Sequence, residues 1–363
     1  MSGRKRCGDR DTVLRTVEIW LTPEKRLFIH SSILISCSEF FAASLDKAWT
    51  SHRGMLSKNE NAPIIYKLNL EEDPCGDSLT IQDLQSKTAI PSSDWESEHI
   101  RDETYYRAFE NMIGIFQHVK PILEGVEDTL QLVKLADKYD CLPVISRAVR
   151  LALLESDGNA SQLYRDISKQ PVDYLYIGEM TRSSIILREA AIHVLGTWSG
   201  TKQKCRDTVS QKLFDTLCEK YEHLRQKKEH ANEMLLSLNY SQSISLDFAS
   251  VSESMVALLM VRENISKIYS NCFQNKKPEH FEGKLYRALE KSAKIELPSS
   301  KKITKHYNAP SFEDVRKELE TKIRQALGDL PRSYLRADQT EINADYLLCA
   351  KLDDADLPWK EDW

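Results

Sequence analysis

Glycine is scarce in this chain, at 12 of 363 residues, so a backbone has few places to approach a phosphate closely. There is no Gly-x-Ser-x-Gly elbow, no phosphate-binding loop ending in Gly-Lys-Ser/Thr and no His-Glu-x-x-His pair. The eight cysteines (7, 37, 75, 141, 205, 218, 272 and 349) are scattered, and no two form Cys-x-x-Cys. A zinc ribbon needs such pairs to bring two thiolates to one ion, so no structural metal and no cofactor are expected. Cys37 and Cys141 fall in apolar patterns and read as small buried residues. No apolar run reaches the length of a bilayer; the best, Met255 to Val261, stops at Arg262. The amino terminus has charges but no apolar region after them, so no secretory signal is read. The expectation is a chain of the reducing interior of the cell, in nucleus or cytoplasm, with no membrane partner.

A net charge of −5 gives no general attraction to nucleic acid. The short basic runs Arg4-Lys5-Arg6 and Lys301-Lys302 read as solvated, and nucleic acid is not an expected partner. His30 at a strand end and His193 among Ala190 and Val194 read as structural histidines. Glu71-Glu72-Asp73 reads as a solvated turn.

What is present is a change of period along the chain. Val17, Ile19 and Leu21 alternate with Glu18 and Trp20 and so share one face, as a half-buried strand requires, and Arg26 to His30 returns after Pro23, so the two predict a hairpin. Ser31 and Ser32 can cap a short helix through Cys37, and Ser38 can cap a second one. Ile64, Tyr66, Leu68 and Leu70 alternate again as a third strand. From Pro74 to Glu103 the pattern collapses, and the segment is expected to be a disordered insertion, with a binding segment anchored by Trp95 as the alternative. Helical spacing resumes with Phe109, Met112, Ile113 and Phe116. Asp128, three before Gln131, predicts a capping-box start for a helix carrying Leu132, Leu135, Ala136 and Tyr139 inward. Pro143 sits in the first turn of the next helix.

After Glu155 the strand signal is gone. Helices are expected over 160–170, around Leu187 to Trp198, through Val209 to Leu224, over 251–273 and over 312–327. The stripe Leu258, Val261, Ile265, Ile268 and Cys272 reads as packing within the chain. Ala344 to Leu352 is strand-like, before an acidic end.

Two stretches resemble a known family. Phe28-Ile29-His30-Ser31-Ser32-Ile33-Leu34 followed by Ser38-Glu39-Phe40-Phe41-Ala42-Ala43-Ser44-Leu45 resembles the second strand and first helices of the BTB/POZ domain. Leu135-Ala136-Asp137-Lys138-Tyr139-Asp140-Cys141 looks like the Ala-Asp-Lys-Tyr motif of its later helix. The resemblance covers about residues 13–155 and is in the style of the BTB/POZ proteins of filamentous fungi. The match to that group continues more loosely through Tyr174–Gly178, Glu189–Gly196 and Leu357-Pro358-Trp359.

The resemblance implies an α+β fold: an N-terminal BTB/POZ domain, a small sheet covered by helices, followed by an all-α region. The expected layout is a flexible 1–12, a BTB/POZ-like domain over 13–155 interrupted by 74–103, a helical domain over 156–296 and an extension over 297–363. It also implies a non-enzymatic protein–protein interaction protein, with other proteins or a second copy as partner. An alternative it implies is a cullin-type ubiquitin-ligase adaptor docking through a hydrophobic-x-Glu motif, whose nearest match is Ala108-Phe109-Glu110. Alanine offers little apolar area where a larger side chain would contribute roughly 1.5–3 kcal/mol on full burial. The other reading of these residues is Phe109 in the core and Glu110 solvated. An enzyme site formed between the two halves is the remaining alternative.

Overall fold

The computed structural model describes residues 16–22, 24–52, 64–71, 78–82, 103–154, 160–239, 248–273, 281–292, 309–336 and 344–360. The chain divides into two units, Met1–Ser156 and Asp157–Asp362. Both strands and helices are present, so the fold is α+β in the broad sense.

The first unit is built on a four-stranded sheet in the order β2-β1-β3-β4. Strand β1, Thr16–Trp20, pairs antiparallel with β2, Arg26–His30. The turn between them is held by Thr22, whose Oγ1 accepts from the Lys25 N–H at 2.9 Å. Strand β3, Ile64–Glu71, runs parallel to β1, so the chain must cross over between β2 and β3. Helices α1, Ser31–Cys37, and α2, Glu39–His52, lie in that crossover. Helices α3, Glu103–Phe116, α4, Val126–Lys138, and α5, Leu142–Leu154, follow the sheet. Val17, Ile19, Ile29 and Leu68 turn one face of the sheet toward Phe41, Leu45, Phe109, Met112, Phe116, Leu132, Tyr139, Ile145 and Val149, and all are buried in one cluster.

Three local expectations are corrected. The cap of α1 is His30, whose ring Nδ1 accepts from the Ser32 N–H at 3.2 Å, and not Ser31 or Ser32. Asp128 does not start α4. Gly125 occupies the cap position, and Asp128 sits in the first turn, reaching back to accept from the Glu124 N–H at 2.9 Å while Arg107 pairs with it at 2.8 Å. The segment 74–103 is not all irregular: Ser78–Gln82 is β4, antiparallel to β3. Its Leu79 and Ile81 alternate with polar residues, a signal too short to stand out from the surrounding Asp, Ser and Glu. The rest of that segment up to residue 102, with Trp95, lies outside the described residues, as do 1–12 and Lys301-Lys302.

Among the described residues, three helices stop in the same way. After α3, α4 and α7 (Pro171–Met180), the residues His118, Asp140 and Arg182 take φ of 63°, 48° and 49°. In each case the following N–H reaches back five residues, Val119 to Gly114, Cys141 to Ala136 and Ser183 to Gly178. That is the Schellman stop, made without its usual glycine.

In the second unit, α6, Ala160–Lys169, precedes α7, and Pro171 takes the first helical position of α7. Helix α8, Ser184–Gly196, whose spacing predicts an amphipathic helix with one buried face, is instead buried nearly all round, Glu189 and His193 included. Gly178 of α7 is what lets α8 in: a Cβ there would stand 2.7 Å from the Leu187 backbone N. Helix α9, Trp198–Thr208, was not expected as a separate element, because only Trp198 and Cys205 along it are buried. Helices α10, Gln211–Leu236, α11, Phe248–Phe273, α12, Glu282–Ser292, and α13, Ala309–Leu327, complete the unit. The stripe on α11 is internal packing, with Val261 and Cys272 buried in a cluster against which Leu258, Ile265 and Ile268 pack.

Ala344–Leu352 is not a strand. It makes one isolated bridge, Ser333 to Leu348. Three of its backbone oxygens are met by helix groups rather than by a strand: Lys284 N–H donates to the Asp345 carbonyl at 2.9 Å, and Arg287 donates to the carbonyls of Ala344 and Tyr346.

Candidate functional site

The two stretches that carry the sequence signature meet in the core of the first unit. Ser38 caps α2 by accepting from the Phe41 N–H at 3.1 Å, and the same hydroxyl donates to the Tyr139 carbonyl at 2.6 Å. These residues are 101 apart in the chain. The Tyr139 ring then sits among Phe40, Phe41 and Phe109, with centroids 5.1, 5.4 and 5.8 Å away. Beside it, burial pushes the Cys141 thiol up to about 12, so this cysteine is an apolar filler and not a nucleophile.

This core fixes what is left outside. Ala108 and Phe109 are both in the core. Of the three residues read as a partner contact, only Glu110 reaches solvent, where Lys25 stands 3.5 Å away and pairs also with Glu103 at 2.6 Å. A docking patch made of all three side chains is therefore not formed.

Exposed apolar side chains occur elsewhere on this unit. Phe28, on the outer strand of the sheet, is 51% exposed, and Val119 and Ile122, just after α3, are 59% and 71% exposed. Gln117 joins the two places, donating from Nε2 to the Phe28 carbonyl at 2.9 Å. The segment after α3 is held against the helix. Asn111 bonds both backbone groups of Ile122, at 2.8 and 2.9 Å, and Arg107 pairs with Glu124 at 2.6 Å. The apolar side chains are thus presented by a braced backbone. Sequence reasoning missed them because the segment Gln117–Glu124 has neither helical nor strand period.

Across from Phe28 in the β1–β2 register lies Glu18. It is almost fully buried, with Arg26 3.5 Å away, and the Arg26 guanidinium lies over the Trp20 ring at 3.8 Å. A carboxylate covered on this face keeps a cation beside it, as burial of a charge demands.

No family model, curated protein or solved structure matches this chain.

In the second unit His193 is buried, with Nδ1 2.6 Å from the Tyr346 hydroxyl. Burial lowers its pKa to about 4 and raises that of Tyr346 to about 12. Tyr346 is seated where two glycines make room. A Cβ at Gly196 would meet its ring at 2.4 Å, and one at Gly283 would meet its carbonyl oxygen at 1.9 Å. Glu189, one turn earlier on α8, is also buried and accepts from the Arg336 N–H at 3.0 Å. Among the described residues, no three His, Cys, Asp or Glu side chains are grouped to hold a metal ion. The His193–Tyr346 pair is a packed joint between α8 and the carboxyl-terminal segment.

Proposed function

We propose that this chain is a non-enzymatic protein–protein interaction protein, acting through a BTB/POZ-type unit over about residues 13–155. The observation that carries the reading is the bond from Ser38 to the Tyr139 carbonyl. It ties the Ser-x-Phe-Phe stretch to the Ala-Asp-Lys-Tyr stretch in one packed core, which supports reading the two stretches together. A sheet with helices on one face, and Phe28, Val119 and Ile122 left exposed beside it, suits a surface that binds a second copy or another protein. The ligase-adaptor variant is the weaker reading, since Ala108, the apolar position of the motif, is buried and leaves Glu110 as the motif side chain that reaches solvent.

Light scattering on the size-exclusion peak and an unbiased pull-down from native cells test the reading. Self-association or specific partners are expected, and Phe28→Asp with Ile122→Asp should diminish them while the protein stays folded. A strictly monomeric chain that captures nothing specific would end the proposal.

A further inference from the structure

The second unit holds an ion-pair arrangement that the proposed function does not use. Residues 352–358, Leu-Asp-Asp-Ala-Asp-Leu-Pro, lie against a basic face made by Arg188 of α8 with Lys212 and Lys220 of α10. Leu352 and Leu357 are buried at the two ends of the stretch. Between them the chain makes one short helical turn, Asp354–Asp356. Asp354 pairs with Arg188, Asp356 pairs with Lys220 at 2.6 Å, and Lys212 Nζ donates to the Pro358 carbonyl at 3.0 Å. Each of the three cations has its own acceptor on the segment.

We propose that Arg188, Lys212 and Lys220 form a docking site for an acidic, leucine-flanked segment of a partner protein, and that the chain's own residues 352–358 hold it in competition. The charge match gives the chemistry of the partner. The unevenness of the anchoring gives the competition. Tyr346 is locked in by the close backbone approaches at Gly196 and Gly283, whereas the Asp354 side chain is 94% exposed, and an ion pair that open to water holds weakly. To lift, the acidic turn gives up the Asp354 pair, the more covered Asp356–Lys220 pair and the buried Leu352 and Leu357, which a partner's own acidic residues and leucines replace while residues 344–350 remain seated. The inference deepens the reading of the chain as an interaction protein by giving its second unit a site and a partner class.

The probe is a fluorescein-labelled peptide with the sequence of residues 351–360, titrated into the full chain and followed by anisotropy. In Asp354→Lys/Asp356→Lys the turn is repelled from the basic face, and the peptide is expected to bind about tenfold or more tighter than to the wild-type chain. That binding should weaken by about tenfold or more from about 50 to about 500 mM salt. Adding Lys212→Ser and Lys220→Ser should abolish it. A folded Asp354→Lys/Asp356→Lys chain that binds no better than wild type overturns the proposal, and so does binding indifferent to the lysine substitutions. Peptide binding that persists in a chain without partners for its first unit removes the reading of that unit and leaves this site standing.

Discussion

Tyr139 lies stacked on Phe41, ring centroids 5.4 Å apart and planes within 5° of each other, and both rings are shut off from solvent. The carbonyl of the same tyrosine takes the Ser38 hydroxyl. Phe41→Ala should therefore cost about 3–5 kcal/mol in a urea titration, the usual toll of an aromatic-sized hole in a core. Ser38→Ala should cost about 1–2 kcal/mol, since it removes a helix cap and leaves a buried carbonyl short of a donor. A smaller loss at Phe41 than at Ser38 would mean that the hydroxyl, and not the ring stack, joins these elements.

His193 predicts a dependence on pH with a definite sign. Its pKa falls from 6.5 to about 4 on burial, so between these values the unfolded chain binds a proton that the folded chain refuses. The stability contributed is fully present above pH 6.5 and is lost as pH falls toward 4, by about 3 kcal/mol in all. Melting temperatures of the wild type and of His193→Gln, compared at pH 7 and pH 4.5, should show the smaller drop in the variant. Equal drops would assign the acid sensitivity to other groups.

Two glycines offer opposite outcomes from the same substitution. Gly283→Ala puts a methyl 1.9 Å from the Tyr346 carbonyl oxygen, a backbone atom that cannot swing aside. It should unseat residues 344–350 and open them to limited proteolysis. At Gly200, inside α9, a Cβ meets nothing within 4 Å. Gly200→Ala should be neutral or stabilise the protein by up to about 1 kcal/mol, through helix propensity alone. Comparable damage from both would show that segment 344–350 is not packed against α12.

His118 and Asp140 pay the steric toll of positive φ that glycine avoids. His118→Gly and Asp140→Gly should each raise stability by about 0.5–1 kcal/mol, read as a rise in melting temperature. A fall would point to side-chain contacts that outweigh the backbone relief.

The parts of the fold legible in the sequence were those with a period. The alternation of Val17, Ile19 and Leu21 and the helical spacing of Phe109, Met112 and Phe116 announce their elements, because burial on one face writes itself into residue order. Ser38 was readable as a cap for the same local reason. Helix α12 carried a usable signal in Phe281, Leu285 and Leu289, all buried, which went unread among flanking charges. The contacts that build the proposed docking site were not local. Nothing near Gly283 announces that Tyr346 will press on it, and Arg188 gives no hint of Asp354, since their meeting depends on how α8, α10 and α12 pack. At Ala108-Phe109-Glu110 the two readings open in the sequence separate by helix face: Phe109 is in the core and Glu110 reaches solvent, and a motif read along the chain does not by itself say which side of the helix faces in.

The lock between His193 and Tyr346 joins residues 153 positions apart. At ordinary translation speeds of about 5–20 residues per second, α8 emerges roughly 8 to 30 s before the piece that seals it. During that interval the part of α8 that Tyr346 covers, around His193 and Gly196, stands open on the nascent chain, an exposure of the kind that chaperones bind. A product broken off ahead of Tyr346 would keep that surface open for good, so the cell has a physical mark by which to tell a finished copy of this unit from an abandoned one.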